Sequence, residues 1–220
     1  MKAFSKITAF ILSAVLLMPC GVFAKDGEYA DTLYDLGIIH GTDKGYESEK
    51  TLTRAEAVTV IVRLLGEEDN LNKYRYEEKF ADVPKDHWAY GYVMYCYENK
   101  ITYGTGENTF SPDSLIDARQ FVSLLLRTMG YDVPFEDAMD EAVVCKLFNS
   151  SVKEEFEDKQ FTRGDMFYTV YRSLKTHRND GKLMADYLAS KGVITKNQAK
   201  EFDIYRDFDH IDELIENIME

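Results

Sequence analysis

An arginine stands near the start of an apolar, helix-forming stretch, at a position where a cation is unfavourable. The stretch is TLTRAEAVTVIVRLLG, residues 51–66, and the arginine is Arg54. A positive side chain in the first helical turn faces the positive end of the helix dipole, which costs about 0.3 to 1 kcal/mol. A bound carboxylate or phosphate would compensate, because free amides at a helix start and a forked guanidinium together form an anion site. The alternative is a surface ion pair.

The residues beside Arg54 predict a capped helix start. In a capping box, the residue before the helix and the residue three positions later each bond the backbone amide of the other. The spacing fits three pairs: Thr53 with Glu56, Asp117 with Gln120, and Thr162 with Asp165. The cap explains the threonine and the acid, but it leaves Arg54 unexplained.

The helix that begins at Arg54 is the first of three similar segments. Apolar residues recur at i, i+3, i+4 and i+7 in each segment, which predicts three amphipathic helices with one buried stripe each. Their arginines also fall in register. The aligned segments are 52–66 with Arg63, 116–130 with Arg127, and 161–175 with Arg172.

The three copies differ at the position of Arg54. The third copy has Arg163 there, whereas the second has Ala118. Arg119, one position later, would point about 100° away around the helix. The internal comparison therefore favours a ligand contact at Arg54 and Arg163 over one in the second copy.

A shorter helical segment and a turn precede each of these helices, at residues 36–46, 99–113 and, more weakly, 145–156. Glycines in the turns predict positive φ or close backbone approach. Lysine stands in two copies where the first has Gly37, which predicts backbone strain there. The glycines are Gly37, Gly41, Gly104 and Gly106, and the lysines are Lys100 and Lys146. Gly41 and Gly104 are also candidates to let loop amides approach a ligand.

Composition places the chain outside the cell and excludes several partners. Residues 1–24 have the layout of a secretory signal peptide, with Lys2 and Lys6 before an apolar run, and we expect cleavage after Ala24. No later segment is long enough to span a membrane. Cleavage would leave 24 basic against 39 acidic residues, so binding to nucleic acid or an anionic membrane through the overall field is not expected.

Few other residues suggest chemistry. Four scattered histidines and no metal-binding motif predict neither a metal site, a cofactor nor a catalytic centre. Trp88 could stack on a sugar, although its position at a helix start favours a core anchor. Cys96 and Cys145 could pair or remain buried thiols. Strand-like alternation is nearly absent, so we expect an all-α chain of stacked helical repeats.

The motifs in these repeats resemble those of the S-layer homology family. The second copy carries most of the pattern, and the first and third supply the signature at the helix start. The matching motifs are FADV (80–83), HWA (87–89), GTGENTFSP (104–112), RTMG (127–130), TRAE (53–56) and the variant TRGD (162–165).

The resemblance implies a pseudo-threefold helical module that anchors exported proteins to the bacterial cell wall. The family's usual ligand is a secondary cell-wall polysaccharide, often with a pyruvate ketal, which the signature arginine contacts in a groove between repeats. Arg54 and Arg163 match that arginine and Ala118 does not, so at most two working grooves are implied. The remaining candidate contacts are Thr53, Glu56, Thr162, Asp165, Gly41, Gly104 and Trp88.

This resemblance also suggests a domain organisation. After the signal peptide we expect three S-layer homology repeats, the third degenerate, and then a helical tail. The expected bounds are 26–66, 80–130, 134–175 and 179–220. The expected function is noncatalytic binding to wall polysaccharide. The alternative is an assembly module whose repeats bind another surface protein.

Overall fold

The computed structural model describes residues 26–202, and this part of the chain is helical. It contains isolated β-bridges but no β-strand, so the all-α prediction is confirmed. Short 3₁₀ helices at Glu68–Lys73 and Phe135–Asp137 accompany the α-helices. The α-helices are α1 (Asp26–Asp35), α2 (Arg54–Leu64), α3 (Tyr90–Glu98), α4 (Ala118–Thr128), α5 (Ala138–Val144), α6 (Ser150–Asp158), α7 (Arg163–Leu174) and α8 (Met184–Ser190).

Helices α2, α4 and α7 are the three predicted amphipathic helices, and two of them begin with the predicted capping box. In α2, the Thr53 hydroxyl accepts from the Glu56 amide at 3.2 Å, and a Glu56 carboxylate oxygen accepts from the Thr53 amide at 2.7 Å. Thr162 and Asp165 make the same pair of bonds in α7.

The second repeat departs from the predicted capping box. Asp117 accepts from the Gln120 amide at 2.8 Å, but Gln120 does not return the bond. Its side-chain oxygen accepts instead from the guanidinium of Arg54, at 3.2 Å. The prediction of a reciprocal box is therefore wrong for α4, because the Gln120 side chain bonds Arg54 of the first repeat instead of the Asp117 amide.

The helix-ending turns have the predicted left-handed backbone at three matching positions. Gly37 has a φ of 72°, and Lys100 and Lys146, which replace it, have φ of 59° and 64°. Glycine adopts this region freely, whereas a lysine is strained there. The prediction is wrong for Gly41 and Gly106, which have neither positive φ nor a close neighbour.

Another correction concerns residues 150–156, the second part of the segment 145–156 where the sequence predicted a turn; the turn itself is confined to 145–148. The chain forms helix α6 from Ser150, because the Asn149 side chain accepts from the Val152 amide at 3.0 Å and caps it. The helix buries Phe156 in contact with Phe148 and Phe161. The apolar contacts stabilise a helix that the polar composition of this segment did not suggest.

The repeats pack in an order that returns from the third repeat to the first. Helix α3 of the second repeat packs on α2 of the first, and α5 of the third packs on α4 of the second. Helix α1 of the first repeat packs on α7 of the third. The helices share one hydrophobic core. Pseudo-threefold symmetry itself remains a prediction.

The described part of the tail packs on the repeats through α8, which contacts α7, and through Phe202, whose ring lies 6.0 Å from that of Tyr171. The signal peptide and the predicted final apolar helix lie outside the described residues. Cys96 and Cys145 are free thiols, and burial raises the pKa of Cys145 to about 11. Within residues 26–202, no helix is long and apolar enough to cross a membrane.

Candidate functional site

Arg54 is buried between the first and second repeats, with only 5% of its surface exposed. Its Nε donates to the carbonyl oxygen of Phe110 at 2.9 Å, and its Nη1 donates to Gln120 at 3.2 Å. The guanidinium carbon lies 4.8 Å from the centre of the Phe110 ring. No ion pair to Arg54 occurs within residues 26–202, so the surface ion-pair alternative is wrong.

The backbone amides at the start of α2 are already used. The Arg54 amide donates to the carbonyl of Ser114 at 2.9 Å, and the Ala55 amide donates to that of Pro112 at 3.0 Å. Thr53 takes the amide of Glu56. The expectation of free amides at this helix start is therefore wrong, and only side chains are left to contact an anion here.

Asp82 and Gly104 fix the loop that supplies these carbonyls. The Asp82 carboxylate accepts from the amides of Phe110 and Ser111, at 2.9 and 2.7 Å. Gly104 has a φ of 82°, and a Cβ there would lie 2.5 Å from both the Phe80 ring and the Thr109 carbonyl oxygen. Only glycine fits this close approach. The loop therefore holds Arg54 in a defined orientation.

A groove of about 400 Å³ opens beside Arg54, between the second-repeat turn and α4. We call it the Arg54 groove. Its lining contains two arginines and no carboxylate, although the chain has 39 acidic and 26 basic residues. The lining residues are Arg54, Thr102, Tyr103, Gly104, Thr105, Gln120, Ser123, Leu124, Arg127 and Phe135.

Arg127 is the second cation of the Arg54 groove, and its hydrogen bonds are incomplete. Its Nε is buried without a partner, and Nη1 makes only a long contact of 3.5 Å to the Ile101 carbonyl. The buried hydroxyl of Ser123, one helical turn earlier, also lacks a partner. Buried polar atoms of this kind are costly unless a ligand or water satisfies them.

Sequence analysis missed Arg127 as a functional candidate. The signal was present, because Arg127 falls in register with Arg63 and Arg172, but it was used only to align the helices. Arg172 donates from Nε to the Leu147 carbonyl at 3.3 Å, which corresponds to the contact between Arg127 and Ile101. In the second and third repeats, the register therefore also marks arginines that bond the preceding turn.

The electrostatics of the Arg54 groove favour an anion. Burial lowers the pKa of Arg54, and the charges of Asp117 and Asp82 oppose that shift. Arginine remains protonated in proteins even when buried. A partly desolvated cation without a carboxylate in contact gains most from a negatively charged ligand.

Arg163 in the third repeat copies the backbone contacts of Arg54. Its Nε donates to the Tyr46 carbonyl at 3.0 Å, and its amide donates to the Lys50 carbonyl at 2.7 Å. Its guanidinium carbon lies 5.8 Å from the Phe167 ring centre. Thr162 and Asp165 serve the cap, and Asp165 also pairs with Lys159 at 2.7 Å.

The cation that corresponds to Arg127 is neutralised in the first repeat. Arg63 makes contacts of 2.9 and 3.0 Å from Nε to both oxygens of Glu68, and Nη2 lies 2.9 Å from the same carboxylate. The Tyr92 hydroxyl also donates to Glu68, at 2.5 Å. Glu56 stands at the position of the uncharged Gln120. The first-repeat surface is thus more acidic than the Arg54 groove.

The second-repeat position that lacks the signature arginine is filled by the protein itself. Ala118 is buried, with 4% of its surface exposed. Arg119 turns to α6, where its Nη2 lies 3.1 Å from Glu157. The side chain that could replace the missing arginine is therefore used in an ion pair.

Trp88 and Gly41 lie outside the Arg54 groove. Trp88 is 58% exposed, so the core-anchor interpretation is wrong. Its ring stacks on that of His87 at 5.9 Å and lies 6.4 Å from that of Tyr92. Gly41 is exposed and does not line the groove. In the described part of the chain, no three metal-ligand side chains cluster.

Comparison with known proteins gives matches to both of the first two repeats. Residues 24–58 and 79–117 match the S-layer homology domain. A cell surface protein of Thermoanaerobacter kivui is 33% identical over 77% of this chain and 22% of its own length. A middle cell wall protein of Brevibacillus brevis is 25% identical over 64% of this chain and 14% of its own.

A third relative is the cellulosome-anchoring protein of Acetivibrio thermocellus. It is 30% identical over 36% of this chain and 18% of its own length. The chain thus spans about a fifth or less of the length of each of these curated relatives.

Proposed function

This chain carries S-layer homology repeats and is a secreted protein of the cell wall or cell surface, and on this premise we propose that it binds an acidic secondary cell-wall polysaccharide in the Arg54 groove. Anchoring to the wall is the function that the repeats and the names of the relatives support. The identity of the ligand and the arginine mechanism are our proposal. Catalysis has no part in it.

The observation that carries the proposal is the unmet hydrogen-bonding capacity of the Arg54 groove. Arg127 Nε and Ser123 Oγ are buried without partners, and both residues line a groove that also contains Arg54 and no carboxylate. Two cations and a free hydroxyl favour an acceptor with negative charge. A planar carboxylate such as a pyruvate ketal suits this set, because guanidinium binds it through two parallel bonds.

The rim of the Arg54 groove suits a sugar. Tyr103 and Phe135 both line it, and they are 53% and 45% exposed. Exposed rings beside hydrogen-bonding groups can pack against a sugar face while the hydroxyls bond to Thr105 or Gln120. The acid would therefore be held at the arginines and the sugar at the rim.

Arg163 is a candidate second site, and we propose that it is the weaker one. Arg63, the cation at this site that corresponds to Arg127, already forms an ion pair with Glu68. Simultaneous binding at both sites on a repeating polymer would still raise retention through effective concentration. Thr53, Glu56, Thr162 and Asp165 contribute indirectly, by fixing the helix starts.

Sedimentation with purified sacculi tests the proposal. We expect the mature protein to bind sacculi, and mild acid removal of the secondary polysaccharide to abolish that binding. Acid-treated sacculi to which the polysaccharide has been re-coupled should bind the protein again. Free polysaccharide should compete with untreated sacculi for the protein. Binding that is unchanged after acid treatment would contradict the proposal.

The same measurement distinguishes polysaccharide binding from the second candidate function, an assembly module that binds another surface protein. The cellulosome-anchoring relative favours this alternative by its name alone. Retention by the acid-treated wall, combined with loss after protease treatment of the sacculi, is the result expected for that function.

A further inference from the structure

A second cavity, of about 440 Å³, lies away from the Arg54 groove and has the opposite chemical character. It lies where the segment after α2 meets the end of α3 and helix α8 of the tail. Four tyrosines line it, so we call it the tyrosine pocket. Its lining residues are Leu65, Glu67, Tyr74, Tyr76, Tyr95, Glu98, Asn99, Tyr187 and Lys191.

Aromatic rings form much of the wall of the tyrosine pocket. The ring of Tyr74 lies 5.7 Å from that of Tyr76 and 6.1 Å from that of Tyr95. Tyr95 is buried, whereas Tyr74 is 45% exposed and therefore reachable from solvent. Burial, followed by the charge of Glu98, raises the pKa of Tyr76, so its ring stays a neutral phenol. Neutral phenol faces attract cations.

Several polar groups of the tyrosine pocket, including the exposed carboxylate of Glu98, have no partner among the described residues. The buried hydroxyl of Tyr76 has no hydrogen-bond partner. Glu98 makes no ion pair or hydrogen bond within residues 26–202. Glu67 uses one oxygen, Oε2, to accept from Asn70 at 3.0 Å and from Tyr74 at 3.2 Å. Its other oxygen has no partner among the described residues.

Cations already lie against the Tyr187 ring at the wall of this pocket, and the closer one is the guanidinium carbon of Arg178, 3.7 Å from the ring centre. The ammonium of Lys191 lies 5.7 Å from the centre of the Tyr187 ring, and this side chain makes no ion pair in the described part of the chain. Arg178 is paired with Asp180 at 3.5 Å, so the two carboxylates and one lysine of the lining leave the pocket with a net negative charge. A ligand with donors and positive charge is therefore favoured over a neutral one.

We propose that the tyrosine pocket is a binding site for a small organic ammonium group, held between the exposed ring of Tyr74 and the carboxylates of Glu67 and Glu98. The site goes beyond the polysaccharide-binding function, since its ligand has the opposite charge and its residues do not line the Arg54 groove. Cation–π attraction and the carboxylates together account for the recognition. An amine-bearing wall component or a lysine side chain would present such a group.

Two probes of the same shape test this proposal. Choline carries a quaternary ammonium, and 3,3-dimethylbutan-1-ol replaces its nitrogen by carbon and has no charge. Binding to the mature chain is measured by titration with amide chemical shifts as the readout. We expect choline to bind in the tyrosine pocket at least about tenfold more tightly than the neutral alcohol.

Matched variants locate the binding. Glu98→Gln should weaken choline binding by about tenfold. Its amide spectrum should remain that of a folded protein. Glu78→Gln is the control, because Glu78 is an exposed acid that pairs loosely with Lys85 at 3.8 Å. Equal affinity for the two probes, no choline binding, or unchanged affinity in Glu98→Gln would overturn the proposal. Sacculus binding by the Arg54 groove should be unaffected in both variants, so either proposal can fail alone.

Discussion

Replacing Arg54 by alanine is expected to abolish binding to sacculi and to lower the free energy of unfolding by about 2 to 4 kcal/mol. The stability loss follows from the buried contacts of this side chain. Its removal leaves the Phe110 carbonyl and the Gln120 oxygen without their donor and uncovers the Phe110 ring. Urea denaturation measures the stability, and sedimentation below the midpoint measures binding.

Two further variants separate the structural from the binding role of Arg54. Arg54→Lys keeps the charge but loses the fork that joins Phe110 and Gln120, so both effects should persist in reduced form. Arg163→Ala should cost less stability, because Arg163 is only half-buried. If Arg54→Ala bound sacculi normally while folded, the assignment of the ligand to this groove would be wrong.

Replacing Arg127 by glutamine is expected to weaken polysaccharide binding by about 10- to 100-fold with little change in stability. The guanidinium contributes modestly to stability, since Nε has no partner, Nη1 makes one long contact, and its carbon lies 5.1 Å from the centre of the exposed Tyr103 ring. A bound carboxylate would gain a charged hydrogen bond from it. The ratio of binding loss to stability loss therefore distinguishes Arg127 from Arg54. Titration calorimetry with the isolated polysaccharide gives the affinity.

Two arginines serve as controls for Arg127. Arg119→Gln removes the same charge from the same helix, but Arg119 is paired with Glu157 and does not line the groove. Arg63→Gln removes the corresponding arginine of the first repeat, which already forms an ion pair with Glu68. We expect near-normal affinity from both. Equal losses in all three variants would indicate a response to overall charge and contradict a site at Arg127.

The helices and their caps were predictable because they depend on residues close together in sequence. Thr53 and Glu56 lie three positions apart, and their bonds follow from helix geometry. The left-handed backbone at Lys100 and Lys146 was predictable because the repeats align them with Gly37. Local pattern therefore gave the three amphipathic helices and the turn at the start of each loop.

Contacts between repeats could not be predicted from the same patterns. Arg54 bonds Phe110, which lies 56 positions away, and the amides at its helix start bond Ser114 and Pro112. A single sequence does not show which loop reaches which helix. The helix-start anion site was inferred because those amides appeared free, whereas carbonyls of the second-repeat loop satisfy them.

The structure brings only part of the predicted set of site residues into one groove. Arg54 and Gly104 do line one groove, but its second cation, Arg127, was overlooked as a binding candidate. Trp88 was expected in the core because most tryptophans at helix starts are buried, and it is instead exposed. Exposure depends on which surface the next repeat covers, and sequence periodicity does not report that.

A crystal structure of the mature chain with an acidic repeating unit of the polysaccharide tests the central claim most directly. We predict that the carboxylate of the sugar lies within hydrogen-bond distance of the Arg127 Nε and of a free N–H of Arg54, with Ser123 Oγ also bonded to the ligand. The sugar ring should rest against Tyr103 or Phe135. Glycan bound elsewhere, with these arginines still lacking an acidic partner, would contradict the proposal.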